Sequence, residues 1–75
     1  LWFVPGSHRE PILAHRPIGG DPRVHGLEVD PALGRTFDDA VACPLEAGSV
    51  TVHYSGTLHY AAGNGSDRDR RAWIL

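Results

Sequence analysis

Hydrophobic and polar positions alternate most regularly from Gly48 onward, where Val50, Val52 and Tyr54 are interleaved with Thr51, His53 and Ser55. A period of two is the mark of a half-buried strand, because successive side chains point to opposite faces. After a kink at Ser55-Gly56, Leu58 to Ala61 and Arg70 to Leu75 read as two arms of a hairpin around Asn64-Gly65. Asn-Gly is the strongest short-range hairpin signal, since both central positions of a type I′ turn need positive φ. With that pair at the turn centre, His59 falls opposite Arg70. Directly opposed side chains share a face, with Cβ atoms about 5 Å apart.

Upstream, the apolar run Leu1-Trp2-Phe3-Val4 stops at Pro5-Gly6, which suits the end of a buried strand better than a helix. Residues 6–26 are loop-rich: they hold Pro11, Pro17, Pro22 and Gly19-Gly20, and the prolines leave room only for a short helical turn between Glu10 and His15. Val24 to Val29 and Ala40 to Leu45 are further strand candidates, joined by a polar connection containing Gly34 and Asp38-Asp39. The pattern predicts an all-β fold of antiparallel strands with one long decorated loop. Both ends stop inside strand-like sequence, so the chain reads as part of a larger domain.

Composition narrows this further. Seventy-five residues make one domain at most, and a chain of that size buries only about 60% of its unfolded surface. Cys43 is the single cysteine, so neither an internal disulfide nor a zinc ribbon can staple it, and with no basic neighbour it reads as a structural thiol. The net charge is −2, with seven Arg, no Lys and no basic patch, so nucleic acid is not an expected partner. The apolar start lacks a charged leader and a long apolar core; it is read as neither signal peptide nor membrane span, and a soluble, cytoplasmic setting is expected. Hydrolase-elbow, P-loop and dinucleotide motifs are absent, and Gly63-Asn64-Gly65-Ser66 is followed by strand-like rather than helical sequence, which removes it as a phosphate cradle.

The sharpest chemistry lies in the pair His59 and Arg70. A neutral imidazole binds divalent metals, and a neighbouring guanidinium favours the neutral form while offering a carboxylate two parallel hydrogen bonds. From spacing alone the pair also reads as two polar neighbours coinciding on a sheet face, because one His does not make a metal site. His53 could face the same site, although a hydrogen-bonded strand histidine is the simpler reading. His15 and His25 fall in the loop, where surface exposure is expected, and Asp67, Arg68 and Asp69 read as a solvated hairpin end.

Leu58-His59 followed by Asn64, Ser66 and Arg70, with Phe3-Val4-Pro5-Gly6-Ser7-His8 upstream and Ala47-Gly48 entering the strand, resembles the C-terminal half of the phytanoyl-CoA dioxygenase family. The resemblance covers most of residues 1–9 and 44–75. It implies a double-stranded β-helix, or jelly roll, carrying an Fe(II)- and 2-oxoglutarate-dependent oxygenase that uses O2 to hydroxylate a small organic substrate. On it, His59 would be the distal histidine of a 2-His-1-carboxylate triad and Arg70 would bind the far carboxylate of 2-oxoglutarate. Asn64 and Ser66 would shape the turn, with Ser66 a further candidate contact to the co-substrate.

The family's His-x-Asp or His-x-Glu motif, expected upstream of Pro-Gly-Ser-His, does not precede Leu1 in this sequence. His8-Arg9-Glu10 has the His-x-Glu form but already belongs to the Pro-Gly-Ser-His segment, so it is read as a coincidence. The expectation is therefore a C-terminal fragment, residues 1–75 forming one partial domain that is inactive in isolation. Two other readings stand beside it. One is a non-catalytic jelly-roll module that binds a ligand or a partner strand; the other is a small zinc module built from His53, His59 and Cys43.

Overall fold

A computed structural model describes residues 1–75. Its organising strand is β1 (Trp2–Phe3), which lies between β4 (Val41–Ala42) and β5 (His59–Tyr60), antiparallel to both. Trp2 is opposed by Ala42 and Tyr60, Phe3 by Val41 and His59. The ladder extends one residue at each end: Cys43 N donates to Leu1 O (2.9 Å) and Val4 N to Leu58 O (3.0 Å). The apolar opening run is thus the centre of a three-stranded sheet, as its composition suggests. A second sheet pairs β2 (His15–Pro17) with β3 (Leu27–Val29). All pairings are antiparallel, and the fold is all-β in small sheets, consistent with part of a jelly roll.

The exit from β1 explains why Pro, Gly and Ser follow it. Gly6 sits at φ 77°, ψ −8°, and Ser7 N closes the turn on Val4 O at 3.2 Å. This is a type II turn, with Pro favoured at its second position and glycine at its third. The turn delivers Ser7 into a buried position, 2% exposed beside Val4 at 1%. There its hydroxyl donates to Val4 O (2.7 Å) and accepts from Leu58 N (2.8 Å). Ser7 then opens a short 3₁₀ turn, Ser7–Arg9. The space where a Gly6 side chain would sit is empty, so Gly6→Ala meets only the conformational penalty of positive φ. It is expected to lower stability by about 1–2 kcal/mol, read as a lower urea midpoint at unchanged m-value.

The region read as loop holds more order than its prolines suggest. Arg16 and Glu28 are directly opposed, and their side chains pair at 2.9 Å. The same Glu28 oxygen accepts from Gly19 N at 3.0 Å, where the backbone turns through Gly19 (φ 67°) and Gly20 (φ 71°). Arg23 folds back on Asp21 through its backbone N–H and its guanidinium, and the side-chain bonds first, then the backbone bond, hold the Asp21 carboxyl below its usual range. Asp30 caps a 3₁₀ turn with Pro31 in its first position, Pro31–Leu33, which Gly34 ends in the left-handed region. Arg35 pairs with Glu10 (3.1 Å) and Asp39 (3.3 Å), tying this connection to the segment after the Ser7 turn.

Several sequence expectations are corrected. His15–Pro17 is a strand, whereas the helical turn is at Ser7–Arg9, not between Glu10 and His15. Of the candidates 24–29 and 40–45, only Leu27–Val29 and Val41–Ala42 pair. Residues 50–55 form no strand, and neither does 70–75. The hairpin is absent: no non-glycine residue has positive φ and Gly65 is not among the glycines that do, which excludes a type I′ turn. Asn64 Oδ1 instead accepts from Ser66 N (3.0 Å) and Ser66 Oγ (2.7 Å), an Asx turn, while Asn64 Nδ2 donates to Arg68 O (2.6 Å). The physical reason is burial. Val52, Trp73 and Ile74 are about nine-tenths exposed, and an isolated two-stranded ribbon with no covered face is marginal in water.

Candidate functional site

His59 stands at the start of β5, one residue beyond the Leu58 amide that Ser7 holds. The pleat sends its side chain to the face of Phe3, its opposed residue on β1, and sends Tyr60 to the face of Trp2. The aromatic contacts follow that division. Trp2 and Tyr60 stack with ring centroids 5.9 Å apart, and Phe3 stacks on His59 at 5.8 Å.

Two features define the His59 ring. Its Nδ1 lies 2.8 Å from Thr57 O; a carbonyl only accepts, so Nδ1 carries the proton of that bond and, in the neutral imidazole, Nε2 presents its lone pair. The ring also touches two other rings, which touch each other. His53 meets it edge-on at 4.6 Å and 61°, and meets Phe3 at 4.9 Å and 69°. Phe3, His53 and His59 thus form a closed group of three rings, with His59 still exposed to a ligand.

Two adjoining cavities, of about 350 and 370 Å³, open beside this residue and share His15, Leu27, Leu58 and His59 in their walls. The first adds Ser7, Glu10 and Tyr54; the second is more apolar, with Val4, Ile18, Val29 and Phe37. His15 repeats the arrangement of His59, its Nδ1 2.8 Å from Leu13 O. Sequence reading placed His15 on a solvated loop. Its only signal was the complementary Arg16 and Glu28, which pair β2 with β3 and bring His15 to the cavity wall.

The structure does not bring Arg70 opposite His59, whose partner is Phe3. Arg70 lies in an unpaired stretch, exposed and outside every ion pair of the chain. Ser66 and Asn64 are engaged with each other and with Arg68 O, in an Asx turn and not in the hairpin turn expected of them. In His8-Arg9-Glu10 the carboxylate is held by Arg35. No group of three His, Cys, Asp or Glu side chains is placed to hold a metal ion, which removes the zinc module of His53, His59 and Cys43. No helix is long and apolar enough to cross a membrane.

Comparison with known proteins identifies the family. The family model Phytanoyl-CoA dioxygenase (PhyH) matches residues 1–72. The chain is 32% identical over 76 residues to a phytanoyl-CoA dioxygenase of Arabidopsis thaliana, covering all of this chain and 25% of that protein. It is 28% identical over 78 residues to phytanoyl-CoA dioxygenase domain-containing protein 1 of Mus musculus, covering all of this chain and 26% of that protein. The protein of the same description from Bos taurus matches to the same extent. The chain spans about a quarter of the length of these curated relatives. No solved structure matches it.

Proposed function

The chain belongs to the phytanoyl-CoA dioxygenase family, and on that premise we propose that it contributes the distal histidine and the co-substrate anchor to an Fe(II)- and 2-oxoglutarate-dependent oxygenase. The observation that carries the reading is the state of His59. Its Nδ1–H is committed to Thr57 O, its ring is exposed, and its strand is locked to β1 through Ser7, so Nε2 is the donor left for a metal.

The residues fit one part of such a centre. A 2-His-1-carboxylate site leaves metal positions open for co-substrate and oxygen; His59 would supply one histidine, and the two remaining donors that the reading requires lie outside these 75 residues. Iron, when bound, supplies the oxidative decarboxylation of 2-oxoglutarate coupled to hydroxylation of a small organic substrate. The chain's part is to orient and to bind. Arg70, exposed and without an acidic partner, would grip the far carboxylate of 2-oxoglutarate, and Ser66, hydrogen-bonded to Asn64, would hold the turn that carries Arg70 and line the co-substrate.

The test is succinate release by the protein expressed from its intact reading frame, with Fe(II), O2 and 2-oxoglutarate. Arg70→Ala is expected to raise KM for 2-oxoglutarate at least about tenfold, since hydrogen bonds to a charged group contribute about 1.5–3 kcal/mol. An unchanged KM would overturn the assignment of Arg70. The competing reading is a non-catalytic jelly-roll module for a ligand or partner strand. Failure of the expressed protein to bind Fe(II), Mn(II) or Co(II) would decide for that module.

A further inference from the structure

We infer that His53 is a positioning residue for His59: the edge of its ring, together with the face of Phe3, sets the plane in which the His59 imidazole presents Nε2. The inference rests on the reading of His59 as a metal ligand and assigns a partner residue that acts through it.

The Thr57 carbonyl holds one atom of the His59 ring, Nδ1, at 2.8 Å. One hydrogen bond fixes which nitrogen is protonated but leaves the ring free to swing about that contact, because the terminal torsion of histidine is broad. Two neighbours remove the freedom. Phe3 stacks against His59 at 5.8 Å with planes 26° apart, and His53 meets the same ring at 4.6 Å and 61° from a neighbouring direction. His53 is itself braced edge-on by Phe3 at 4.9 Å, so the three rings support one another. Edge-to-face and offset-stacked pairs in this distance range are favourable by about 0.5–1.5 kcal/mol each. That is enough to bias a ring that is otherwise exposed.

The side chain of His53 makes no hydrogen bond within the chain, so its ring, rather than either nitrogen, makes the contact that matters here. Its position also follows from the chain's course. Residues 50–54 are held by no strand pairing, and the Tyr54 O to Thr57 N turn (2.9 Å) folds His53 back over β5. Loss of one ring contact of about 0.5–1.5 kcal/mol corresponds to about a two- to tenfold change in affinity.

Two substitutions separate ring from nitrogen in the protein expressed from its intact reading frame. His53→Gln keeps polarity and removes the ring; His53→Phe keeps the ring and removes the nitrogens. With Co(II) as the probe, H53Q is expected to weaken binding about two- to tenfold and to alter the visible spectrum of the bound ion, while H53F matches the parent in both. Unchanged binding in H53Q, or equal loss in H53Q and H53F, overturns the inference. So does a drop in unfolding midpoint in both variants with the Co(II) spectrum of the folded protein preserved, since that would mark a role in folding alone. H59A run in parallel keeps the two claims apart: if H59A retains full Co(II) affinity, the ligand reading of His59 fails, whereas loss in H59A with none in H53Q overturns the positioning role alone.

Discussion

Replacing His59 with alanine is expected to reduce Fe(II)-dependent succinate release by more than about a hundredfold, because removing a mere partner of a ligand already costs about 10–100-fold. The loss should appear first as weaker metal binding. His59 is the one imidazole in the chain that combines an exposed ring, a committed Nδ1–H and contacts to two other rings, so no neighbour is placed to replace it. His15 shares the cavity and the Nδ1 bond but lies in the other sheet, and His15→Ala is the control expected to keep the metal. The fold should survive H59A, since the backbone of β5 is held by Phe3, Val4 and Ser7 and the lost side chain is exposed. Full retention of metal-dependent turnover in H59A would dismiss the site as drawn.

What could be read from sequence was whatever depends on near neighbours. The run Leu1 to Val4 ending in Pro5-Gly6 identified β1, because a type II turn makes local demands that Pro and Gly alone meet well. His59 on a strand was equally legible. The hairpin at Asn64-Gly65 was not, although the same kind of local rule was applied. Asn-Gly permits a type I′ turn, but pairing also needs a face to cover, and Trp73 and Ile74 find none here. The Asx bonds of Asn64 to Ser66 are the alternative that those same residue types support. Strand β2 was hidden for the opposite reason. Pro17 and the nearby glycines mask it, and its evidence, Arg16 against Glu28, becomes visible only once the register is known.

The site shows the same division. His53 was placed on the pleat away from Val52 and Tyr54, which allowed for a role beside the site, but its contact with His59 arises from a turn rather than from strand alternation. The pairing of His59 with Arg70 depended wholly on the hairpin and fell with it. Phe3, the actual partner of His59, is separated from it by most of the chain, and an antiparallel contact at that range leaves no local trace.

Ser7→Ala is expected to be the most damaging small change outside the proposed metal site, lowering stability by about 1–3 kcal/mol. The methyl replaces a hydroxyl in a position only 2% exposed, so the volume change is slight and the cost is in hydrogen bonding. Val4 O keeps a partner, because Ser7 N still reaches it at 3.2 Å. Leu58 N does not: its acceptor is the Ser7 hydroxyl at 2.8 Å, and a part-buried amide left without one bears its full desolvation penalty. In a chain with two buried residues that is a large share of a net stability that for whole domains is about 5–15 kcal/mol. The damage should also be directional. Leu58 immediately precedes His59, so loosening its amide loosens the strand that carries the proposed ligand, and metal affinity should fall together with the urea midpoint in S7A. Ser7→Thr retains the hydroxyl and is expected to recover both, less the strain of one extra methyl in a tight site. Loss of midpoint in S7A with metal affinity of the folded protein untouched would show that the Ser7 bridge supports the fold without setting the position of His59.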